Sequence, residues 1–344
     1  MGHRVGIFGA SGYAGGELIR LVDGHPELEA KVLAGRASAG SALRDVHPHL
    51  AGGDRRLVGL DPDEAEDLDL VFLALPHGAS APIALDLLGR GVAVVDLGSD
   101  FRLDTQDRYE AAYGMEHSYP DELGKWAFGL PELFGESIEG TDRVAVPGCY
   151  PTSAILALGP LLAAGLIAPT PITIDSMSGA SGAGRSAKPN LTFGSIDEGV
   201  VAYGLLTHRH RPEIEQGLEM SAGHKPTVVF TPHLVPMQRG ILSTCHAPLT
   251  SSATSDDDLR GALESAYAGS SFVEVIDRPP QTRWVVGSNR CLLWVAADPR
   301  TGTALVLSAL DNLIKGAAGQ GVQCANLMLG LSEEEGLGSS GWMP

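Results

Sequence analysis

Residues 4–22 read Arg4-Val5-Gly6-Ile7-Phe8-Gly9-Ala10-Ser11-Gly12-Tyr13-Ala14-Gly15-Gly16-Glu17-Leu18-Ile19-Arg20-Leu21-Val22. The opening residues are an apolar strand, the closing ones a helix, and the turn between them carries glycine at 9, 12 and 15. Strand, glycine-rich turn and helix within thirty residues make a mononucleotide-binding unit. Glycines let a pyrophosphate approach the backbone, and the N–H groups at the helix entrance attract it. The spacing is G-x-x-G-x-x-G where the usual fingerprint is G-x-G-x-x-G, so the turn alone also fits a tight structural corner. Its place directly after a strand favours the nucleotide reading, with Gly9, Ser11, Gly12, Tyr13 and Ala14 beside the cofactor.

Outward from this unit the chain keeps the same grammar. Lys31–Ala34 is a second strand, ending in Gly35-Arg36-Ala37-Ser38. An NAD site places Asp or Glu here for the ribose 2′-hydroxyl, whereas arginine accommodates a 2′-phosphate. The expected cofactor is NADPH, held by Gly35, Arg36 and Ser38; a solvated loop arginine is the plainer alternative. Asp69–Leu75 and Val92–Leu97 are apolar runs that fit buried parallel strands, with a crossover helix over Ala81–Leu88. They end in Leu75-Pro76-His77 and Gly98-Ser99, at the carboxyl edge where a doubly wound sheet binds ligands. Arg102, just beyond, suits a substrate anion or a pairing with Asp100 or Asp104. Residues 104–142 are polar, turn-rich and aromatic, and read as a surface excursion or small insertion.

The chain returns at Arg143-Val144-Ala145-Val146, a short buried strand, and then reads Pro147-Gly148-Cys149-Tyr150-Pro151-Thr152-Ser153 before an apolar helix from Ala154 to Ala164. A cysteine at a helix entrance meets exposed N–H groups and the positive end of the dipole, which favours the thiolate. The stretch by itself fits a nucleophile and a small buried hydrophobe equally well.

Beyond Cys149 the pattern changes to strands at Pro171–Met177, Thr227–Thr231, Ile241–Ala247, Phe272–Ile276 and Cys291–Ala296, with helices over Glu213–Ser221 and Asp256–Tyr267. This predicts an α+β domain on a mainly antiparallel sheet, joined to a Rossmann-type doubly wound α/β domain. The expected boundaries are 1–148 for the nucleotide domain and 149–310 for the catalytic and oligomerisation domain. Ser178-Gly179-Ala180-Ser181-Gly182-Ala183-Gly184-Arg185-Ser186 reads as a mobile loop closing over cofactor or substrate; Arg185 stands where a phosphate loop needs lysine. Thr207-His208-Arg209-His210-Arg211-Pro212-Glu213-Ile214 puts two histidines and two arginines at a helix entrance. No carboxylate or cysteine lies at metal-ligand spacing, so proton transfer beside an anionic substrate fits better than a metal. Residues 310–329 suit a helix whose glycines, each costing about 1 kcal/mol in a helix interior, call for a closely packed neighbour.

Composition sets the outer bounds. A chain of 344 residues with 44% hydrophobic content is long enough for two cores. Net charge −18, from 24 basic against 42 acidic residues, disfavours nucleic acid as a partner and makes local basic clusters informative. There is no apolar run of membrane length and no secretory leader pattern, so the expected location is the cytoplasm, without membrane association. The four cysteines form no C-x-x-C pair, which argues against both a zinc site and a disulfide scaffold.

Taken together, GxxGxxG after the first strand, PGCYPT, SGxSGAGR and HRHxPEI resemble, in order and separation, the N-acetyl-γ-glutamyl-phosphate reductases of arginine biosynthesis. That family is similar in turn to the aspartate-semialdehyde dehydrogenases. The resemblance implies NADPH-dependent reduction of a small-molecule acyl phosphate to a semialdehyde, with Cys149 as nucleophile and a homo-oligomer, dimer or tetramer. It implies His210 as the acid/base and His208, Arg102, Arg185, Arg211 and Ser178 as substrate contacts. Gly179, Gly182 and Asn312 would lie near the nicotinamide, with the segment 311–331 folded back onto the nucleotide domain. Val146 stands where the family often has asparagine. A sister enzyme acting on aspartyl phosphate, a cofactor-free cysteine hydrolase and an NADPH-binding redox sensor are the competing readings.

Overall fold

Val5, Ile7 and Phe8 are wholly buried because their strand runs through the interior of a sheet. A computed structural model describes residues 2–343, which divide into two units. The first holds the residues up to Gln106, together with Glu116–Pro147 and Ala317–Leu337; the second holds Asp107–Met115, Gly148–Gly316 and the chain from Gly338 on.

In the first unit β1 (His3–Phe8), β2 (Leu28–Ala34), β3 (Leu70–Leu73), β4 (Ala93–Asp96), β5 (Ala127–Phe128) and β6 (Arg143–Ala145) form one sheet in the order β2-β1-β3-β4-β6-β5. Every pairing is parallel. The chain leaves β1 toward one edge through α1 (Tyr13–Asp23) and resumes on the other side at β3, so the carboxyl end of β1 lies at a topological switch point. Both faces are covered, which is why the strands read as continuous apolar runs. On one face Val5, Ile7 and Phe72 pack with Leu18 and Val22 of α1 and with Val322 and Ala325 of a C-terminal helix. On the other, Phe8, Val71 and Leu73 pack with Ala84 and Leu87. The shorter elements here are α2 (Leu43–Val46) and α3 (Ala81–Gly89).

Residues 104–142 are only in part a surface excursion: 104–125 are mostly exposed, whereas Trp126, Phe128, Leu130 and Ile138 enter the core. After α4 (Gln106–Tyr113), which belongs to the second unit, the segment supplies the edge strand β5 and α5 (Pro131–Ile138). Leu130 and Ile138 are fully buried, and Trp126 stacks on Phe101 at 4.2 Å. A two-residue strand and a kinked helix are too short to show a period.

The main segment of the second unit opens with α6 (Cys149–Ala163), which starts five residues earlier than the apolar run suggests. Its sheet comprises β7 (Ile172–Ser178), β8 (Val201–Ala202), β9 (Val228–Leu234), β10 (Ile241–Pro248), β11 (Val273–Val275), β12 (Cys291–Asp298) and β13 (Thr303–Leu310), in the order β11-β12-β13-β10-β7-β9-β8. Four of the six pairings are antiparallel. The interior strand β13 is one that pattern reading misses. Ala304, Ser308 and Ala309 lower its strand propensity, yet small residues are required where Ser308 accepts from Ser153 of α6 at 2.9 Å. After the exposed short helix α7 (Phe193–Ile196), α8 (His210–Ala222) and α9 (Asp256–Ala266) lie beside α6. Helices α6 and α8 approach closely at Gly217, where an added Cβ would come within 2.2 Å of Ile155.

The helix expected over 310–329 starts at Ile314 with a π-helical turn over Ile314–Ala318 and continues without a break as α10 (Gly319–Met328). Its glycines do meet close neighbours. An added Cβ would stand 2.7 Å from the Cys149 Cβ at Gly316, and 3.3 Å from Leu97 at Gly321.

Candidate active site

Cys149 is the first residue of α6, half-buried, with Gly148 as N-cap. Proline fits the first turn at Pro151, where an N–H would have no helical partner. Thr152 returns its hydroxyl to the Gly148 carbonyl at 3.0 Å, and the Gly148 N–H donates to Glu213 Oε1 at 2.7 Å. Glu213 is 1% exposed and stands one turn into α8, so the peptide ahead of the cysteine is tied to the helix that His210 opens. On the other side the backbone of Gly316 lies against the Cys149 Cα and Cβ.

The two histidines share an aromatic pocket with Tyr150. Their ring centroids are 4.8 Å apart, and those of His208 and His210 lie 5.8 and 5.9 Å from that of Tyr150. Phe230 lies 5.3 Å from both Tyr150 and His208. His208 Nδ1 accepts the backbone N–H of His210 at 3.2 Å, which leaves its proton on Nε2. Burial, and then the Arg209 charge, push the His208 pKa down to about 4, so at neutral pH this ring is uncharged. The Tyr150 and Tyr203 hydroxyls are 2.9 Å apart. Burial is the main cause holding both protonated above the usual tyrosine range, and the nearby Cys149 adds to it.

Ser178 closes β7, bonding to the Gly179 carbonyl and to Tyr150. The start of the loop after it is tied down, in contrast to the mobile loop expected, whereas residues 182–186 are exposed. Gly179, Ala180 and Ser181 donate to Gly240, Met237 and Gln238 at 2.9 to 3.1 Å, and a Cβ at Gly179 would strike Gln238 at 2.6 Å. Asn312 uses both ends of its amide here, accepting from Gly240 N at 2.7 Å and donating to Ser181 Oγ at 3.0 Å; Gly182 packs beside it. Arg239 pairs with the buried Asp311. Arg211 donates to the Leu206 carbonyl, and Arg185 is exposed.

In the first unit the nucleotide edge is built almost wholly of backbone. Gly9 has φ +93°, and a Cβ there would sit 2.2 Å from the Ala74 carbonyl. Gly15 passes equally close to the Gly9 carbonyl, whereas Gly12 is open on one side. Ser11, Tyr13 and Ala14 carry this turn into α1. Gly35 backs onto Ser38, whose hydroxyl is buried without a hydrogen-bond partner, and Arg36 is exposed beside it. A Cβ-free cradle with an unused buried hydroxyl next to an exposed cation fits a phosphorylated dinucleotide.

Farther along the edge, after Leu75 and Pro76, His77 Nδ1 bonds to Ser99 Oγ at 2.9 Å and lies 3.4 Å from Asp100. Asp100 caps α3 by accepting from Gly78, Ser80 and Ala81 N–H groups. Asp96, fully buried, accepts from Gly98 N and Ser80 Oγ; burial, and then Asp100, raise its pKa to about 7. Arg102 donates to the Leu97 carbonyl within this unit.

Reading residues one by one therefore assigned no role to Glu213, Tyr203, Gly316 and Asp96. Glu213 stood inside the HRHxPEI stretch, and the glycine content around Gly316 was a signal. Tyr203, on an exposed stretch, had none. Among the described residues no group of three or more His, Cys, Asp or Glu is placed to hold a metal, and no helix is long and apolar enough to cross a membrane.

Comparison with known proteins agrees with this division. Residues 4–141 match the semialdehyde dehydrogenase NAD binding domain, and residues 149–312 match the semialdehyde dehydrogenase dimerisation domain. Among solved structures, aspartate semialdehyde dehydrogenase II from Vibrio cholerae superposes with TM-score 0.73 at 20% identity, over 96% of this chain and 99% of that one. The aspartate semialdehyde dehydrogenase of Candida albicans, solved with NADP, gives 0.66 at 17% identity, over 96% and 99%. These show the fold. N-acetyl-gamma-glutamyl-phosphate reductase from Moorella thermoacetica is 46% identical over 99% of both chains, and that from Crocosphaera subtropica is 44% identical over 97% of this chain and 96% of its own. The chain thus belongs to the N-acetyl-gamma-glutamyl-phosphate reductases of the semialdehyde dehydrogenase group.

Proposed function

We propose that the protein reduces N-acetyl-γ-glutamyl phosphate to N-acetylglutamate 5-semialdehyde with release of phosphate, in arginine biosynthesis, with NADPH as reductant. The observation that carries this reading is Cys149 at the entrance of α6, joined through Glu213 to the helix that His210 opens. A thiolate there attacks the acyl carbon, the carbon–oxygen bond to phosphate breaks, and a thioester forms on Cys149. NADPH, when bound, supplies the hydride that takes this thioester to a hemithioacetal. The protonated His210 stabilises the developing oxyanion, and collapse to the aldehyde breaks the carbon–sulfur bond and restores the thiolate beside it. His208, uncharged at neutral pH, suits substrate contact and support of His210 rather than proton donation.

Arg102, Arg185 and Arg211, with Ser178, are the groups we assign to the phosphate and carboxylate of the substrate. Gly9, Ser11, Gly12, Tyr13 and Ala14 hold the pyrophosphate, and Gly35, Arg36 and Ser38 the 2′-phosphate. In the first unit we assign Leu75, Pro76 and His77 to the nicotinamide half, and in the second we assign Gly179, Gly182 and Asn312 to it. The cytoplasm is the compartment where this chemistry belongs.

A homo-oligomer fits the second unit. Helices cover one face of its sheet, whereas the other presents Met177 and Val229, at 45% and 43% exposure, beside the half-exposed Leu242, Trp294, Leu305 and Leu307. Such an apolar face on a sheet is suited to a second copy.

The test is a forward assay with N-acetyl-γ-glutamyl phosphate and aspartyl phosphate in competition, run with NADPH and with NADH. The expected outcome is turnover of the acetylated substrate with strong preference for NADPH. Preference for aspartyl phosphate, or oxidation of neither nucleotide, would refute the assignment.

A further inference from the structure

His47 has no part in the chemistry above, yet it is 4% exposed and sits in the nucleotide half of the molecule. It ends the short helix α2, its N–H returning to the Leu43 carbonyl at 2.7 Å. Its ring lies on Gly16, in the first turns of α1: a Cβ at Gly16 would be 2.7 Å from His47 Cε1 and 3.0 Å from Nδ1. Its Nε2 is 2.9 Å from the Ala10 carbonyl oxygen. A carbonyl only accepts, so the proton is on Nε2 and the ring donates.

The Ala10 carbonyl belongs to the turn itself. The Ala10 N–H is already fixed by the Ala34 carbonyl at the end of β2, at 2.9 Å, so one residue of the turn is anchored at both its donor and its acceptor. The peptide that links Ala10 to Ser11 is a trans, planar unit, in which C=O and N–H point in opposite directions. Drawing the Ala10 carbonyl toward His47 therefore sends the Ser11 N–H the other way. We infer that His47 is a positioning residue of the dinucleotide turn: by holding the Ala10 carbonyl it aims the Ser11 N–H at the pyrophosphate. Glycine at 16, a position the G-x-x-G-x-x-G spacing does not include, leaves room for the ring.

This inference rests on the dinucleotide reading of the turn, and the experiment separates the two. NADPH affinity is measured by fluorescence titration for the unmutated protein, for His47→Phe, which keeps a ring over Gly16 without the donor, and for His47→Gln, whose amide places a donor near the Nε2 position. An amide N–H bonded to phosphate is a charge-assisted contact, so its misdirection in His47→Phe should weaken NADPH about ten-fold. NADH and ADP should weaken by the same factor, because the pyrophosphate is common to all three. His47→Gln should restore most of the affinity, and the NADPH KM should rise in His47→Phe with kcat little changed. A folded His47→Phe that binds NADPH as tightly as the unmutated protein would overturn the inference; an unmutated protein that binds no NADPH would overturn the cofactor reading instead. Should His47→Phe not fold, NMR of the unmutated protein decides. The His47 proton should reside on Nε2, and added pyrophosphate should shift the Ser11 amide. A proton on Nδ1, or an unmoved Ser11 amide, would refute the role.

Discussion

The nucleotide edge of the first unit and the thiol site of the second solve opposite problems with opposite materials. At the edge, a Cβ on Gly9, Gly15 or Gly35 would strike a neighbouring part of the chain, so the turn packs tightly and is built of peptide groups. At the thiol site side chains crowd together, with Tyr150, His208, His210 and Phe230 in mutual ring contact and Glu213 buried beneath them. A backbone site binds any molecule with the right phosphates, whereas a side-chain site performs one reaction. Substitutions in the second should therefore remove turnover and spare binding, and substitutions in the first should do the reverse.

The largest expected effect follows from that division. Cys149→Ala should reduce turnover to background while NADPH affinity, measured by titration, stays within error of the parent; substantial residual activity would break the comparison at its centre. Next, His210→Asn should lower kcat on the order of 10²–10⁴-fold. His208→Asn, which loses ring contacts with Tyr150, His210 and Phe230 and alters the hydrogen bond to the His210 backbone, should cost less, about ten-fold. If His208→Asn proves the more damaging, the two histidines exchange roles.

How much of this was legible beforehand follows the same division. The turn at Gly9–Gly15 could be read because a backbone-built site leaves a glycine pattern in consecutive residues. Cys149 and the histidine pair could be read because reactive side chains are rare and stood in distinctive surroundings. Glu213 lay within one of those stretches, but its bond to Gly148 spans 65 residues and no local rule anticipates it. The strand at Thr303–Leu310 was missed because its small residues answer to the helix above it, not to strand propensity. Residues 104–142 misled because β5 and α5 are too short to carry a period, although Leu130 and Ile138 are core residues. His47 offered no signal at all until the ring was seen over Gly16.

The smallest expected effect lies in the first unit and concerns stability. Asp96 has its folded pKa raised from 3.8 to about 7 by burial and then by Asp100, so its contribution is fully present below pH 3.8 and is lost as pH rises through 7. Urea unfolding between pH 5 and 8 should show a stability loss toward the alkaline side of at most about 3 kcal/mol, and Asp96→Asn should flatten it. In the second unit His208 acts in the opposite sense. Its folded pKa is lowered from 6.5 to about 4, so the folded state is penalised as pH falls through that window. His208→Asn should remove that acid-side loss. A parent with no alkaline loss would remove the contrast between the two buried groups.

The central claim, that Cys149 carries an acyl group between phosphate and reductant, is tested most directly by running the reaction backwards. NADP⁺ is supplied with N-acetylglutamate 5-semialdehyde, and NADPH formation is followed with and without inorganic phosphate or arsenate. Sustained NADPH formation that requires the oxyanion, and that is absent in Cys149→Ala, is the predicted result. Equal formation without phosphate or arsenate, or in the absence of the thiol, would contradict it.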